Sequence, residues 1–241
     1  MNSQSKTSCV CGCSRAAFVG GIRDVYTLNI NEVMRTMTIV YQFKGSLYIN
    51  LTNRCPNACV FCAKSKGKKM FHGYNLDLGD KEPSAQDVLT EIDKQINAGF
   101  TPKEIIFCGY GEPTMALPVL LEVAKQLKAK YPYALRLNTL GLGSLVWGRD
   151  ITKELAPYID KINISLNATD NETWLKIVRP APQYAEQSFS AMQDFVRNAA
   201  KNIKEVAVSV VSNQGIDTQK AQALAQKLGA KFFVREYFNE E

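Results

Sequence analysis

The 241-residue sequence contains one histidine, two tryptophans and no long hydrophobic run. A membrane-spanning helix needs about 20 mostly apolar residues, so the lack of such a run excludes a membrane span. The apolar patch near the N-terminus, residues 16–22, is broken by Gly20 and Gly21 and has no cleavage-site pattern, which argues against a secretory signal. We therefore expect a cytoplasmic protein without a membrane partner.

The net charge is also low, because 29 Lys and Arg residues against 23 Asp and Glu residues leave a formal charge of +6. Much of the excess lies in one run, Lys64, Lys66, Lys68 and Lys69. That run is typical of a solvated loop, and it is also compatible with a surface that attracts an acidic substrate or partner. No other feature indicates nucleic acid, so we do not expect nucleic acid as a partner.

From about residue 46, short strand-like runs alternate with helical runs. The predicted strands are 46–52, 104–108, 134–139, 161–167, 205–211 and 231–237. The predicted helices are 84–98, 116–130, 151–158, 183–198 and 217–228. Strands rich in Ile, Val and Leu that alternate with helices are typical of a parallel sheet. Six such units predict an α/β fold, a partial (βα)6 TIM-like open barrel, with its chemistry at the carboxyl ends of the strands.

Two of the predicted helices carry recognisable end signals. Ser84 with Asp87 resembles a capping box, and Asp217 is a suitable residue to open the last helix. Gly99 and Gly229 follow the first and last helical runs, where glycine commonly ends a helix.

Residues 37–241 form the predicted core domain, and residues 1–36 are predicted to be a poorly ordered N-terminal extension because they show no apolar period. The extension contains Cys9, Cys11 and Cys13. Three interpretations stay open for it: an upstream segment without a role, a site for a metal or a second cluster, or a peptide-like segment on which an enzyme acts.

Cysteine is the informative residue type, with seven in the chain. Besides the three in the extension, Cys55, Cys59 and Cys62 form a second group and Cys108 stands alone. An odd number at short spacings, in a chain without a secretory signal, favours metal binding over disulfides. Cys108 follows the apolar run 105–107, so we predict that it is a buried core residue.

The second cysteine group directly follows the first predicted strand, at spacings i, i+4 and i+7. A four-iron cluster normally takes four cysteines. Three leave one iron without a protein ligand, and an open position on a metal is where a substrate can coordinate. The alternative is a structural zinc site, which would need a second pair of ligands, for example from Cys9, Cys11 and Cys13.

The second predicted strand leads into a glycine-rich turn, Cys108-Gly-Tyr-Gly-Glu-Pro-Thr114. Gly109 and Gly111 allow the backbone to come close to a ligand. Glu112, followed by Pro113, can accept hydrogen bonds from a ligand ammonium group. The alternative for Glu112 is an acidic residue at the N-terminus of a helix, where the helix dipole favours it.

Together, the Cys-x3-Cys-x-Phe-Cys pattern and the Gly-x-Gly-Glu-Pro turn one βα unit later resemble the radical S-adenosylmethionine (SAM) superfamily, over about residues 45–237. The resemblance implies a [4Fe–4S] cluster on Cys55, Cys59 and Cys62, with SAM on the open iron. It also implies reductive cleavage of SAM to a 5′-deoxyadenosyl radical, which abstracts hydrogen from a substrate.

The resemblance further implies which residues contact SAM. Phe61 would lie near the adenine, and Ser165 and Asn167 near the ribose hydroxyls and the carboxylate. Asn138 is a weaker candidate for the same region, and for these strand-end residues a polar cap is an equal alternative. Arg235 is a further candidate to face the site. The full set of expected SAM-binding residues is Phe61, Gly109, Gly111, Glu112, Pro113, Asn138, Ser165 and Asn167.

A closer resemblance is to small radical SAM proteins associated with the TatD family. It rests on residues 50–62, Asn-Leu-Thr-Asn-Arg-Cys-Pro-Asn-x-Cys-x-Phe-Cys, and on Gly73-Tyr-Asn-Leu-Asp-Leu followed by Lys81-Glu-Pro-Ser84. It implies a functional link to a TatD-family hydrolase, but no assigned reaction.

No catalytic residue or substrate follows from the sequence. A peptide or protein side chain, a nucleoside-like small molecule and a glycyl-radical enzyme all stay open as substrates. An electron donor such as flavodoxin or ferredoxin is an expected partner. The alternative function is a non-catalytic iron–sulfur or zinc-binding protein, which would not need the turn at residues 109–113.

Overall fold

A computed structural model of the protein describes residues 37–237. Its strands are β1 (Val40–Phe43), β2 (Ser46–Ile49), β3 (Met70–Phe71), β4 (Tyr74–Asn75), β5 (Ile105–Phe107), β6 (Leu135–Thr139), β7 (Lys161–Ser165), β8 (Glu205–Val211) and β9 (Lys231–Arg235). Its helices are α1 (Ala85–Asn97), α2 (Leu117–Lys130), α3 (Gly143–Trp147), α4 (Thr152–Leu155), α5 (Asn171–Val178), α6 (Pro182–Asn202) and α7 (Thr218–Lys227). Short 3-10 helices span Lys64–Lys66 and Pro113–Ala116.

The main sheet of the described residues has seven strands in the order β1-β2-β5-β6-β7-β8-β9. Strand β1 is antiparallel to β2, and every other neighbouring pair in this sheet is parallel. The six parallel strands alternate with helices along the chain, so the predicted α/β fold, a partial (βα)6 open barrel, is confirmed. Strands β3 and β4 form a separate antiparallel hairpin.

The elements that the sequence did not predict are short. Strand β1 has four residues, and β3 and β4 have two each. Helices α3 and α5 have five and eight residues. A period of 3.6 or 2 residues needs a longer window to emerge, so such elements are set by their tertiary contacts rather than by a visible pattern.

The helix-end predictions are confirmed. The Ser84 hydroxyl accepts a hydrogen bond from the Asp87 backbone N–H while the Asp87 carboxylate accepts from the Ser84 N–H, which is a complete capping box. The Asp217 carboxylate caps α7. Gly99 and Gly229 have φ of +95° and +83° just after helices, a left-handed conformation that favours glycine.

Apolar residues of the parallel strands pack against the helices to form the core. Ile105, Phe107, Leu137 and Ile164 are fully buried there. Since side chains alternate along a strand, the residues between them face the inside of the open barrel. On β6 and β7 those residues are polar, so the barrel interior is polar at its carboxyl end.

Residues 1–36 lie outside the described residues, and with them the domain prediction for that segment and the interpretations of Cys9, Cys11 and Cys13. Within the described range, no helix is both long and apolar enough to cross a membrane.

Candidate active site

The three-cysteine loop leaves the carboxyl end of β2 and is held against α5. The Ala58 backbone N–H donates to the Arg179 carbonyl over 3.0 Å, and the Val60 N–H donates to the Ile177 carbonyl over 2.9 Å. Cys59 is buried, while Cys55 and Cys62 are partly exposed. The loop therefore buries one of its three cysteines and leaves two partly accessible.

Burial disfavours the thiolate form of Cys55 and Cys59. It raises the pKa of Cys55 to about 12, with a further rise from the nearby Glu112 carboxylate. Burial also raises the pKa of Cys59, and the neighbouring Cys55 and Cys62 thiols add to that rise. Thiolates are the form that binds metal, so loading this loop with a cation releases protons.

Within residues 37–237, no three His, Cys, Asp or Glu side chains converge as they would around a single metal ion. A [4Fe–4S] cluster makes a different demand, because each thiolate binds a different iron. Three thiols in one loop fit a cluster with one open iron.

The glycine-rich turn packs directly on the cysteine loop. The Gly111 N–H donates to the Thr52 carbonyl over 2.9 Å, and the Glu112 N–H donates to the Arg54 carbonyl over 2.9 Å. A methyl group on Gly111 would lie 2.5 Å from the Thr52 carbonyl oxygen and 2.8 Å from the Asn53 carbonyl carbon. Gly111 is therefore needed for the close approach of two protein segments. The sequence analysis had expected it to allow the close approach of a ligand.

Asn50, which the sequence analysis did not single out, connects these segments. Its fully buried side chain accepts from the Tyr110 N–H over 2.9 Å and donates to the carbonyls of Thr38 and Leu76 over 3.0 and 2.8 Å. A methyl group on Gly109 would lie 2.6 Å from the Asn50 Cα. The sequence signal that could have identified Asn50 is the presence of a polar residue inside an otherwise apolar strand.

An ion pair supports the start of the cysteine loop from outside. Arg54 binds the Glu82 carboxylate with both Nε and Nη2, over 2.7 and 2.8 Å, and Thr52 also donates to Glu82. The Arg54 hydrogen bond is the largest of the effects that lower the pKa of Glu82. This bidentate pair orients the segment that accepts the Gly111 and Glu112 N–H groups.

Glu112 is buried, and its carboxylate is surrounded by donors of the protein itself. Oε1 accepts from the Thr114 hydroxyl and the Thr139 hydroxyl, each over 2.7 Å, and from the Thr114 N–H over 3.2 Å. Oε2 accepts from the Leu140 N–H over 2.8 Å. Burial raises the pKa of Glu112, while these hydrogen bonds lower it. Glu112 therefore caps the Pro113–Ala116 helix, as the alternative interpretation predicted. Its carboxylate also binds the Leu140 N–H in the turn after β6.

Glu112→Gln is expected to destabilise the fold. The amide NH2 group would face either the Leu140 N–H or the three donors at Oε1, which leaves at least one buried donor unpaired. Such an unpaired group costs about 1–3 kcal/mol. Urea unfolding of the full chain measures the effect, with Glu122→Gln on the exposed surface of α2 as the matched control. Equal stability of both variants would contradict this role for Glu112.

Polar atoms without partners gather at the carboxyl ends of β6 to β9. Among the described residues, these buried atoms include Asn138 Oδ1, Asn163 Oδ1, both amide atoms of Asn167, and Arg235 Nε. Asn167 has a φ of +50° and is almost fully buried. Ser165 accepts a hydrogen bond from Arg235 Nη2 over 3.2 Å. Buried polar groups are normally hydrogen-bonded, so these atoms are available to water or to a polar ligand in the barrel.

Two cavities open at this end of the barrel. The larger, of about 540 Å³, is lined by residues that include Cys62, Cys108, Gly109, Asn138, Asn163 and Arg235. The smaller, of about 210 Å³, is lined by residues that include Phe61, Val211, Arg235 and Tyr237. Arg235 thus faces the site, as the sequence suggested, and Asn138 lies at the wall of the larger cavity. Glu112, Ser165 and Asn167 are not among the residues that line these two cavities.

The prediction that Cys108 is a core residue is wrong. Its thiol is partly exposed and lines the larger cavity. Burial raises the pKa of Cys108, while a hydrogen bond from Asn138 and the charge of Arg235 lower it. The reason is strand alternation, because Phe107 points to the helices and the next residue therefore points inward.

The lysine run also lies at this cavity. Lys64, Lys68 and Lys69 line it, and Lys66 donates to the Tyr237 hydroxyl over 2.5 Å beside the smaller cavity. The run therefore lies at the rim of the cavities, and its attraction for an acidic substrate stays a prediction.

The chain is thus an open parallel barrel in which the cysteine loop and the glycine-rich turn meet at the carboxyl ends of β2 and β5. The family model of the radical SAM superfamily matches residues 49–217, which is more than half of the chain. The chain therefore belongs to the radical SAM superfamily, a class of enzymes that use a [4Fe–4S] cluster and SAM.

The chain is also similar to individual proteins. It is 22% identical over 214 residues to a probable dual-specificity RNA methyltransferase RlmN of Acaryochloris marina, which covers 87% of this chain and 56% of the relative. The crystal structure of a radical SAM methyltransferase from Sphaerobacter thermophilus matches with a TM-score of 0.57 and 17% identity, over 82% of this chain and 57% of that one. Streptococcus suis SuiB bound to the precursor peptide SuiA matches with a TM-score of 0.54 and 16% identity, over 79% and 39%.

The chain spans about half the length of the curated relatives it matches. At these identities the solved structures show the fold alone. The expectation that nucleic acid is not a partner has no support, because those curated relatives are named as RNA methyltransferases.

Proposed function

We propose that this radical SAM enzyme holds its [4Fe–4S] cluster on Cys55, Cys59 and Cys62 and binds SAM at the open iron. When bound, the cluster supplies the electron that cleaves SAM and starts hydrogen abstraction from a substrate. The chain itself holds the cysteine loop, orients SAM at the ends of β6 to β9 and encloses the substrate in the larger cavity.

The observation that carries the proposal is the junction between the cysteine loop and the glycine-rich turn. The N–H groups of Gly111 and Glu112 donate to the segment that leads into Cys55, and Cys62 of the same loop lines the larger cavity. Partnerless polar atoms of Asn138 and Asn167 lie at neighbouring strand ends. A structural iron–sulfur or zinc site would not need a polar, open interior beside it.

The geometry supports separate roles for the proposed SAM contacts. Phe61 and Val211, at the smaller cavity, are suited to an adenine ring. Asn138, Ser165 and Asn167 are suited to hydroxyl and carboxylate groups. Gly109, Gly111 and Pro113 shape the turn. Glu112 positions the turn after β6, and its Oε2, which accepts one protein N–H, has capacity for one ligand N–H as well.

Partners and finer classification also belong to the proposal. The shared motifs at residues 50–62 and 73–84 support membership of the TatD-associated radical SAM proteins and a functional link to a TatD-family hydrolase. The chemistry requires an external one-electron reductant, such as flavodoxin or ferredoxin, and we propose that the protein acts in the cytoplasm.

Anaerobic reconstitution of the full chain tests this function. We expect about four irons and four sulfides per chain, and formation of 5′-deoxyadenosine from SAM after reduction with dithionite, detected by mass spectrometry. A sample without reductant is the control. A chain that binds the cluster without cleaving SAM would support the non-catalytic alternative, and a chain that binds zinc in place of iron would support the zinc alternative.

A further inference from the structure

The larger cavity is lined by an excess of positive side chains, of which Lys69 is paired with Asp77 over 2.6 Å. Among the described residues that line it, six are Lys or Arg and one, Glu236, is acidic. Three of the lysines belong to the run at its rim. A cleft lined by one sign of charge concentrates ligands of the opposite sign.

Two arginines inside the cavity have no full charge compensation. Outside the lining of this cavity, the Glu104 carboxylate lies 3.1 Å from Arg136 and 3.5 Å from Lys161, so one negative charge serves two positive charges. Arg235 has no carboxylate partner among residues 37–237, and its observed hydrogen bond is the one to Ser165. Both guanidinium groups are partly exposed at this cavity, and each has one buried Nε atom without an acceptor, which a ligand anion could supply.

The unpaired atoms show where such a ligand would bind. Arg136 Nε and Arg235 Nε are buried donors without an acceptor, and Asn138 Oδ1 and Asn163 Oδ1 are buried acceptors without a donor. Asn163 is only 8% exposed and lines the same cavity. These atoms match a molecule that has both an anionic group and an N–H or O–H donor.

The walls beside these polar atoms are aromatic. Tyr48, Phe71, Tyr110 and Phe233 line the cavity, and Phe233 is 40% exposed. Faces of aromatic rings favour a flat partner. The volume of about 540 Å³ lies in the range of small-molecule sites.

We propose that the substrate is a small planar molecule that carries a carboxylate or a phosphate together with an N–H or O–H donor. The anion binds between Arg136 and Arg235, the donor binds Asn163, and the ring lies against the aromatic wall. This inference rests on the proposed function, because it names the substrate class of the proposed active site.

Calorimetric titration of the reconstituted full chain, with SAM and without reductant, tests the inference. The probes are two matched pairs: indole-3-carboxylate with indole-3-carboxamide, and 1-naphthyl phosphate with 1-naphthol. We expect the anion of at least one pair to bind about ten-fold or more tightly than its neutral partner, the effect of one charge-assisted hydrogen bond. The pair that shows the larger preference identifies the anionic group.

Three variants locate the effect. Arg136→Gln and Arg235→Gln should each lose the preference, and Arg235→Lys, which keeps the charge, should retain part of it. Arg149→Gln removes an equal charge from a surface pair with Glu154, outside the lining of this cavity, and should leave the preference unchanged. Thermal melting confirms that each variant is folded.

Equal binding within both pairs, absence of binding by all four probes, or an equal loss of preference in Arg149→Gln would overturn the inference. The titration measures neither iron nor SAM cleavage. A chain that cleaves SAM but shows no anion preference therefore contradicts the substrate class alone, whereas anion preference without a cluster contradicts the proposed function.

Discussion

Replacement of Cys55, Cys59 or Cys62 by Ala, one at a time, is expected to abolish the cluster and the cleavage of SAM. Each thiol would bind a different iron, so no remaining cysteine of the loop can replace the lost one. Loss of residues that merely support a metal ligand already costs about 10–100-fold in affinity or activity, so loss of a ligand should exceed about 100-fold. Absorbance near 400 nm, iron content and 5′-deoxyadenosine formation measure the effect.

Cys108→Ala is the matched control for this series. Cys108 is also a free, partly exposed cysteine at the same cavity. It directly follows strand β5 and lies outside the cysteine loop. We expect this variant to keep its full iron and sulfide content. If Cys108→Ala loses the cluster while one of the loop variants keeps it, the proposed ligand set is wrong.

Gly111→Ala is expected to disrupt the site through the glycine-rich turn, which packs on the cysteine loop. The added methyl group would meet backbone atoms of Thr52 and Asn53, at 2.5 and 2.8 Å. Backbone cannot turn away as a flexible side chain can, so the Gly111 and Glu112 hydrogen bonds to the cysteine loop would break. We expect a loss of about 3 kcal/mol or more in stability, the upper range for overpacking, together with a poorly retained cluster. Urea unfolding and iron content measure the two effects.

Gly67→Ala separates this steric effect from simple backbone strain. Gly67 follows the Lys64–Lys66 helix with a φ of +71°, and a methyl group there would meet nothing within 4 Å. The left-handed conformation alone should cost about 1–2 kcal/mol, with the cluster retained. Similar behaviour of the two variants would show that the contact of Gly111 with the cysteine loop is not important.

Much of the fold was predictable because its signals are local. The βα alternation, the capping box at Ser84 and Asp87, and the glycine stops each depend on residues only a few positions apart. The order of motifs was predictable for the same reason, since Cys55 follows one predicted strand and Glu112 follows the next. Parallel strands then bring both motifs to one edge of the sheet.

The short elements and the surroundings of each site residue were not predictable. Strand β1 and the β3–β4 hairpin are too short to show a period. Cys108 was assigned to the core because its preceding residues are apolar, and the structure places it in the cavity because alternate residues of a strand face opposite sides. Local composition does not tell which of those sides is the barrel interior.

The sequence by itself determined the class of this protein: three thiols after one strand, a Gly-x-Gly-Glu-Pro turn after the next, and six strands in parallel order. Only the tertiary structure decided that Gly111 packs on Thr52, that Glu112 is satisfied by Thr139 and Leu140, and that Arg235 lacks an acidic partner among residues 37–237. These contacts join residues that are far apart in the chain. Their geometry depends on how the strands curve and which side chains turn inward, and no local pattern encodes that.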